Sequence, residues 1–391
     1  MAAHLTRIAL AEFRCYREVV LEIDARPVVL AGPNGAGKTN LLEAISFLAP
    51  GRGLRRAKLT EIERRPVDEP ARTASTAWAV AARLMSGAGP ETEIGTGRDP
   101  AAAEGVSERR VVKIDGAFQK SQSALAERLA LVWLTPQMDR LFLDGAGDRR
   151  RFLDRLVYGF DPAHASRVSA YEQAMRERAR LLTNGAWSGQ GAWLDGLEAQ
   201  MAELGVAVAA ARRDLVARLR AAAADGFGPF PGAALALMGI VDDALAAMPA
   251  LAAEDSLKAR LAETRGLDAQ SGGASVGPHK SDLAVTHLGR GRRAADCSTG
   301  EQKALLLAIV LAYARALTEA RGHAPLILLD EVAAHLDRAR RRALFEAILA
   351  TGAQAWLTGT DLETFAELGD AARFVAVEEG RLRPLASASP M

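Results

Sequence analysis

LAGPNGAGKTNLLEAI, Leu30 to Ile45, holds the pattern G-x-x-x-x-G-K-[ST] in full at Gly32-Pro33-Asn34-Gly35-Ala36-Gly37-Lys38-Thr39. The glycines let backbone N–H groups curl around phosphate oxygens, Lys38 can reach the β- and γ-phosphates of a nucleotide, and the Thr39 hydroxyl can ligate Mg²⁺. The flanks supply the order such a loop requires. Val28 to Ala31 is an apolar run that reads as a buried strand, and Asn40 to Leu48 reads as a helix. A strand feeding a glycine-rich turn and then a helix points to α/β architecture.

The rest of such a site must come from far along the chain. Leu326-Ile327-Leu328-Leu329 reads as a second buried strand, and it ends in Asp330-Glu331. Two acids at a dry strand end are costly unless a cation meets them. Asp330 is therefore expected to hold a metal beside Thr39, and Glu331 to polarise an attacking water. Apolar residues followed by Asp-Glu are common in isolation; the pairing with the glycine loop makes them specific. A third piece, Cys297-Ser298-Thr299-Gly300-Glu301-Gln302-Lys303, precedes the apolar run Leu305 to Leu311, which reads as a buried helix. Ser298 and Gly300 at its start offer a hydroxyl and free N–H groups to an anion. The same residues also fit an ordinary helix cap, since Ser298 stands three residues before Glu301.

Around these pieces the 391 residues are 49% hydrophobic and 25% charged, enough for a folded soluble protein of one large globular unit or two to three domains. A net charge of +1 gives no global argument for a nucleic-acid partner. Cys15 and Cys297 have neither metal-ligand spacing nor a disulfide framework, which fits a reducing, cytoplasmic location. Arg7, Glu12, Arg14 and Arg17 interrupt any signal-peptide stretch, and no apolar run is long enough to span a membrane.

Leu5 to Ile23 alternates as a hairpin does. Residues 70–135 read as short strands, clearest at Ala77 to Ala82 and Arg110 to Ile114, broken by a loop from Ser86 to Gly105. Beyond Pro136 the pattern becomes helical. Val168, Tyr171, Met175 and Leu182, and then Leu197, Met201, Leu204, Val208, Leu215 and Leu219, form stripes of the kind that pack an antiparallel bundle. Gly226 to Pro231 and Ser271 to Pro278 read as boundaries, and Ala355 to Leu357 and Phe374 to Val377 as further strands, the last closed by Glu378-Glu379-Gly380. The expected domains are 1–135, 136–272 and 273–391.

Phosphate loop, serine-glycine signature and apolar-Asp-Glu strand together resemble the ATP-binding-cassette superfamily, in which two heads face each other and each signature contacts the γ-phosphate held by the other's loop. That resemblance implies a dimer, with Ser298, Thr299, Gly300, Glu301 and Gln302 acting in trans and Asp337, in the stretch Ala333 to Asp337, in a D-loop at the interface. Lys38 and Ser298 are 260 positions apart, more than a transporter cassette leaves and far less than the coiled-coil arms of chromosome-condensing proteins require. Locally, LAEFRCY (Leu10 to Tyr16), KTNLLEA (Lys38 to Ala44), RRRFLD (Arg149 to Asp154) and GPHKSDL (Gly277 to Leu283) resemble the RecF family of bacterial recombination-mediator ATPases, over nearly the whole chain.

The resemblance implies an α/β fold: a P-loop ATP-binding-cassette head with mixed sheets and an inserted helical arm domain. It implies ATP and Mg²⁺ as cofactors, Gly32 to Thr39 with Asn40 and Gln137 as nucleotide contacts, Lys38 and Glu331 in slow hydrolysis, and Thr358 or Thr360 sensing the γ-phosphate where transporters carry a histidine. It further implies an ATP-dependent homodimer that binds single-stranded and gapped duplex DNA and acts with RecR and RecO ahead of RecA, in recombinational repair, replication-fork maintenance and SOS induction. The alternative, a cassette energising a membrane transporter, is opposed by the long helical insertion and the missing histidine.

Among basic clusters, Arg52, Arg55, Arg56 and Lys58 meet no acid before Glu61 and are the first candidates for DNA phosphates. Arg149 to Arg151, Arg176 with Arg178 and Arg180, Arg290 with Arg292 and Arg293, and Arg338 with Arg340 to Arg342 are others, unless neighbouring acids neutralise them. Arg14 is either an arginine that approaches nucleotide or a solvent-facing hairpin residue. His279 is either structural or part of a dimer face.

Overall fold

The computed structural model describes residues 3–64, 77–87, 89–99, 109–183 and 191–385. The hairpin β1 (His4–Phe13) and β2 (Tyr16–Glu22) comes first, then β3 (Val28–Ala31) and α1 (Lys38–Ser46) on either side of the glycine loop. Strands β4 (Ala79–Met85), β5 (Thr92–Arg98), β6 (Arg110–Ile114) and β7 (Ala117–Phe118) follow, then α2 (Ser123–Arg128) and β8 (Leu131–Leu134). The middle is helical, with α3 (Ala146–Phe160), α4 (His164–Thr183) and α5 (Gly191–Ala224). It continues through β9 (Ala233–Met238), α6 (Ile240–Ala247), α7 (Ala250–Glu263), α8 (Arg265–Ser271), β10 (Asp282–His287) and β11 (Arg292–Arg293). The chain then runs through α9 (Thr299–Arg321), β12 (Leu326–Leu329), α10 (Arg338–Thr351), β13 (Ala355–Gly359), β14 (Arg373–Glu378) and β15 (Arg381–Leu385).

Two compact units emerge from the contacts. The first comprises Met1–Asp139, Phe227–Phe230 and Val310–Met391; the second comprises Arg140–Gly226 and Pro231–Ile309. In the first unit one six-stranded sheet runs β15-β14-β3-β13-β12-β8, parallel except for β15. Strands β3, β12 and β13, and the edge strand β8, are buried at every position, which is why they read as unbroken apolar runs. The other, β2-β1-β4-β5-β6-β7, is antiparallel and alternates. Phe13, Phe47 and Trp78 meet in its core, with Phe47 and Trp78 rings 5.1 Å apart.

Two expectations need correction. The stretch from Ser86 to Gly105 is not simply a loop: β5 lies within it, with Ile94 and Thr96 buried, while residues 88 and 100–105 lie outside the described residues. Gly95 and Gly97 mask the alternation that would have marked the strand. Residues 273–309 group with the helical unit, where the sequence reading gives them to the head. Pairing decides this, because β10 runs antiparallel to β9 from Asp282 opposite Met238 to His287 opposite Ala233.

In the second unit α4 and α5 bury Tyr171, Leu197, Met201, Val208, Leu215 and Leu219 from the predicted stripes. Arg178, at 1% exposure, sits in the same interior and bonds Glu198, Asp268 and the Leu261 carbonyl.

Candidate functional site

In the first unit the glycine loop bridges β3 and α1 and is clamped from two sides. Gly37 has φ +119°, and a Cβ there would lie 2.8 Å from both the Cys15 Sγ and the Tyr16 hydroxyl, so only glycine fits. Tyr16 donates to the Gly37 carbonyl at 2.9 Å, and the Gly380 N–H to the Ala36 carbonyl at 3.0 Å. A Cβ on Gly32 would run into the Val377 carbonyl. The turns β1–β2 and β14–β15, distant in sequence, thus hold the loop in shape.

Lys38 is buried, and its Nζ donates to the carbonyls of Gly32 (2.6 Å) and Pro33 (2.9 Å). Burial pulls its pKa down, opposed by the negative charges of Glu331 and Asp330. A cation resting on neutral carbonyls would gain from an anionic oxygen in their place.

Asp330 follows β12, whose register pairs Leu329 with Leu357 and so brings Asp330 beside Thr358. Thr39 and Thr358 both donate to its Oδ1, each at 2.9 Å. Burial raises the Asp330 pKa, with the two hydroxyl hydrogen bonds acting against it. Oδ2 makes no hydrogen bond among the described residues. A carboxylate oxygen and a hydroxyl are the hard donors that Mg²⁺ takes from a protein when phosphates and waters complete its shell. A buried carboxylate short of positive charge beside that hydroxyl therefore fits this ion.

Glu331 sits at φ +54°, in the left-handed region, with its N–H donated to the Thr358 hydroxyl at 2.8 Å. Its carboxylate is half-buried and makes no hydrogen bond or ion pair among the described residues. Thr360 is exposed; Gln137 is also exposed, in the short turn of helix that follows β8, the strand beside β12. Asn34 and Gly35 line the open side of the loop.

Sequence reasoning missed the support behind α1. Glu43, fully buried, takes a two-pronged contact from Arg14, with both N–O distances 2.8 Å, and a third from Arg55 at 3.0 Å. Arg14 is thus a paired residue and not a solvent-facing one. Arg55 also donates to Asn40 Oδ1 at 2.7 Å, and Asn40 Nδ2 to the Cys15 sulfur at 3.2 Å. Arg55, exposed like Arg52, Arg56 and Lys58, is therefore engaged beside the loop. An acid in the apolar run Leu41 to Ile45 was the available signal, since burying it requires a cation. Arg110, also unforeseen, is buried with no carboxylate partner among the described residues. It donates to the carbonyls of Phe47 and Gly51 and to Gln122 and Thr96, and burial lowers its pKa to about 9.

The signature residues belong to the second unit. Glu301 Oε2 accepts from both the N–H and the hydroxyl of Ser298, each at 2.9 Å, forming the cap that the spacing allowed. Arg290 pairs with Glu301 at 3.2 Å, and Gln302 Nε2 donates to the Cys297 carbonyl at 2.9 Å. Thr299 and Gly300 are exposed. His279 is held between the Tyr171 hydroxyl (2.7 Å) and the Ala274 carbonyl (2.8 Å), and burial lowers its pKa. In the first unit Asp337 caps α10 by accepting from the Arg340 N–H at 2.8 Å.

Most other basic clusters prove to be paired. Arg149 bonds Asp282, Arg150 the Ser281 carbonyl, Arg151 Asp148, Arg293 Asp296, Arg338 Glu367 and Arg342 Glu346.

Comparison with known proteins follows the same lines. The model of the RecF/RecN/SMC N terminal domain matches residues 4–382. The DNA replication and repair protein RecF of Allorhizobium ampelinum is 46% identical over 380 residues, covering 97% of this chain and 98% of that one. Its counterpart from Rhizobium etli is 47% identical over 381 residues, with the same coverage. The chain belongs to the RecF family. A solved structure of the recombination mediator protein RecF with ATP superposes on this RecF-family chain with TM-score 0.81 at 23% identity, over 98% of this chain and 99% of that one. An Smc head domain from Pyrococcus furiosus gives 0.53 at 17% identity, over 98% and 96%. These likenesses show the fold, an α/β P-loop head with mixed sheets and an inserted helical unit. No described helix is long and apolar enough to cross a membrane.

Proposed function

We propose that this RecF-family chain is an ATP-switched DNA-binding repair protein whose hydrolysis acts as a timer. The observation carrying the reading is the meeting, at the carboxyl end of one parallel sheet, of Lys38 and Thr39 from one end of the chain with Asp330, Glu331 and Thr358 from the other. Lys38 exchanges its two carbonyls for β- and γ-phosphate oxygens. Glu331 accepts a proton from a water whose oxygen bonds the γ-phosphorus, while the bond to the β-phosphate oxygen breaks and ADP leaves with that electron pair. Mg²⁺, when held by Thr39 and Asp330, supplies charge neutralisation at the phosphates. Ser298 and Gly300 of a second copy close over the γ-phosphate, so ATP favours a homodimer.

In this reading the dimer binds single-stranded or gapped duplex DNA through phosphate contacts and works with RecR and RecO to place RecA; relatives named for DNA replication and repair, and a solved RecF of the RecFOR pathway, support the repair setting. Exposed Arg52, Arg56 and Lys58 support a backbone contact. The test is fluorescence anisotropy of a labelled gapped duplex with Glu331→Gln, with and without ATP and Mg²⁺, and Ser298→Arg as the control. ATP is expected to tighten binding about tenfold or more, and Ser298→Arg to remove the gain. Binding indifferent to ATP would refute the switch.

A further inference from the structure

The Thr358 hydroxyl stands between the two acids, and its capacity is spent there. A hydroxyl has one proton to donate. Here that proton goes to Asp330 Oδ1 at 2.9 Å, and the oxygen accepts the Glu331 N–H at 2.8 Å. Thr358 is only 1% exposed, so no solvent-facing proton remains for a phosphate. The residue is placed by pairing on both sides: β13 lies between β12 and β3, with Thr358 opposite Leu30 at the mouth of the glycine loop.

The backbone at Glu331 explains why this contact matters. A non-glycine residue at φ +54° is strained, and it persists only where its surroundings hold it. Of the two links on either side, Asp330 is fixed through its N–H to the Leu134 carbonyl, and Val332 is buried. The Glu331 N–H itself is fixed only by Thr358 among the described residues. Losing that acceptor would let the peptide relax and swing the Glu331 carboxylate with it. Losing the donor would free Asp330 to turn about its remaining contact with Thr39.

We infer that Thr358 is a positioning residue that sets the backbone of Glu331 and the orientation of Asp330, and that it does not sense the γ-phosphate. Any sensing from this turn falls to exposed Thr360. The inference rests on the ATPase reading above and specifies how its general base is held.

The experiment compares Thr358→Val, which keeps the branched shape without the hydroxyl, with Thr358→Ser, which keeps the hydroxyl. Both are measured by steady-state ATP hydrolysis, alone and combined with Glu331→Gln. Thr358→Val is expected to lower kcat about 10- to 100-fold with KM for ATP changed less than about threefold. Thr358→Ser should retain a rate within about threefold of the wild type. In the Glu331→Gln background the valine change should lower the residual rate less than about twofold, because the base it positions is already gone. A rise in KM with kcat unchanged would assign the hydroxyl to the nucleotide and overturn the inference, as would full additivity with Glu331→Gln. Should Thr358→Val fail to fold, Thr358→Ser and Thr360→Val decide: a large KM effect from the serine variant, or a kcat loss confined to Thr360→Val, overturns it. A wild-type chain that binds ATP without turning it over would refute the parent reading instead.

Discussion

Two buried polar clusters, one in each unit, differ in whether they are complete. In the helical unit Arg178 satisfies Glu198 at 2.9 Å, Asp268 at 2.8 Å and the Leu261 carbonyl at 2.6 Å. Asp268 also accepts from Thr264 and Ser275, and Glu198 from Arg265. Each charge there has its opposite. Around the glycine loop Lys38 rests on neutral carbonyls, Asp330 keeps one oxygen unbonded, and the Glu331 carboxylate makes no hydrogen bond or ion pair among the described residues. A complete cluster serves the fold, since breaking it strands a buried charge. An incomplete one, held in shape by its surroundings, is prepared for a ligand that brings the missing charges.

Breaking the closed cluster should give the larger effect. Arg178→Met is expected to cost about 3–5 kcal/mol in stability, read as a lower denaturation midpoint, while ATP binding measured well below that midpoint stays unchanged. Breaking the open one should do the reverse. Lys38→Met removes a cation whose hydrogen bonds all go to neutral carbonyls, so stability should change by less than about 1 kcal/mol, whereas ATP binding or turnover falls about 100-fold or more. If Lys38→Met unfolded the protein and Arg178→Met spared it, the distinction between the clusters would collapse.

A smaller effect sharpens the comparison through pH. Asp154 is bonded by Arg212 at 2.7 and 2.8 Å and by His164 at 2.8 Å. Burial alone would raise its pKa, but the Arg212 charge and the His164 contact outweigh it and hold the group down from 3.8 to about 2. A carboxylate with a depressed native pKa contributes fully above its unfolded value and loses that contribution as pH falls through the native one. Asp154→Asn should therefore cost about 2 kcal/mol at pH 6, and the difference from wild type should narrow between pH 4 and pH 2 in parallel melts. A difference that persists at pH 2 would mean that packing, and not the charge, holds this part of the helical unit.

Much of the molecule is legible in its sequence. The buried parallel strands show as unbroken apolar runs, because strands covered on both faces have no polar side to alternate with. The glycine loop and the Asp-Glu pair show because phosphate and metal chemistry admit few residue types at those positions. Tertiary structure alone decided the rest. The pairing of β9 with β10, together with the bonds of Arg149 to Asp282 and Tyr171 to His279, assigns residues 273–309 to the helical unit. Arg14 and Glu43, Arg178 and Glu198, and Arg110 with its carbonyls join residues tens of positions apart, and charge patterning cannot tell a solvated arginine from a buried one. Thr358 became interpretable last, because one hydroxyl can serve an acid, a strained peptide or a phosphate, and which of these it meets is a matter of distance in space.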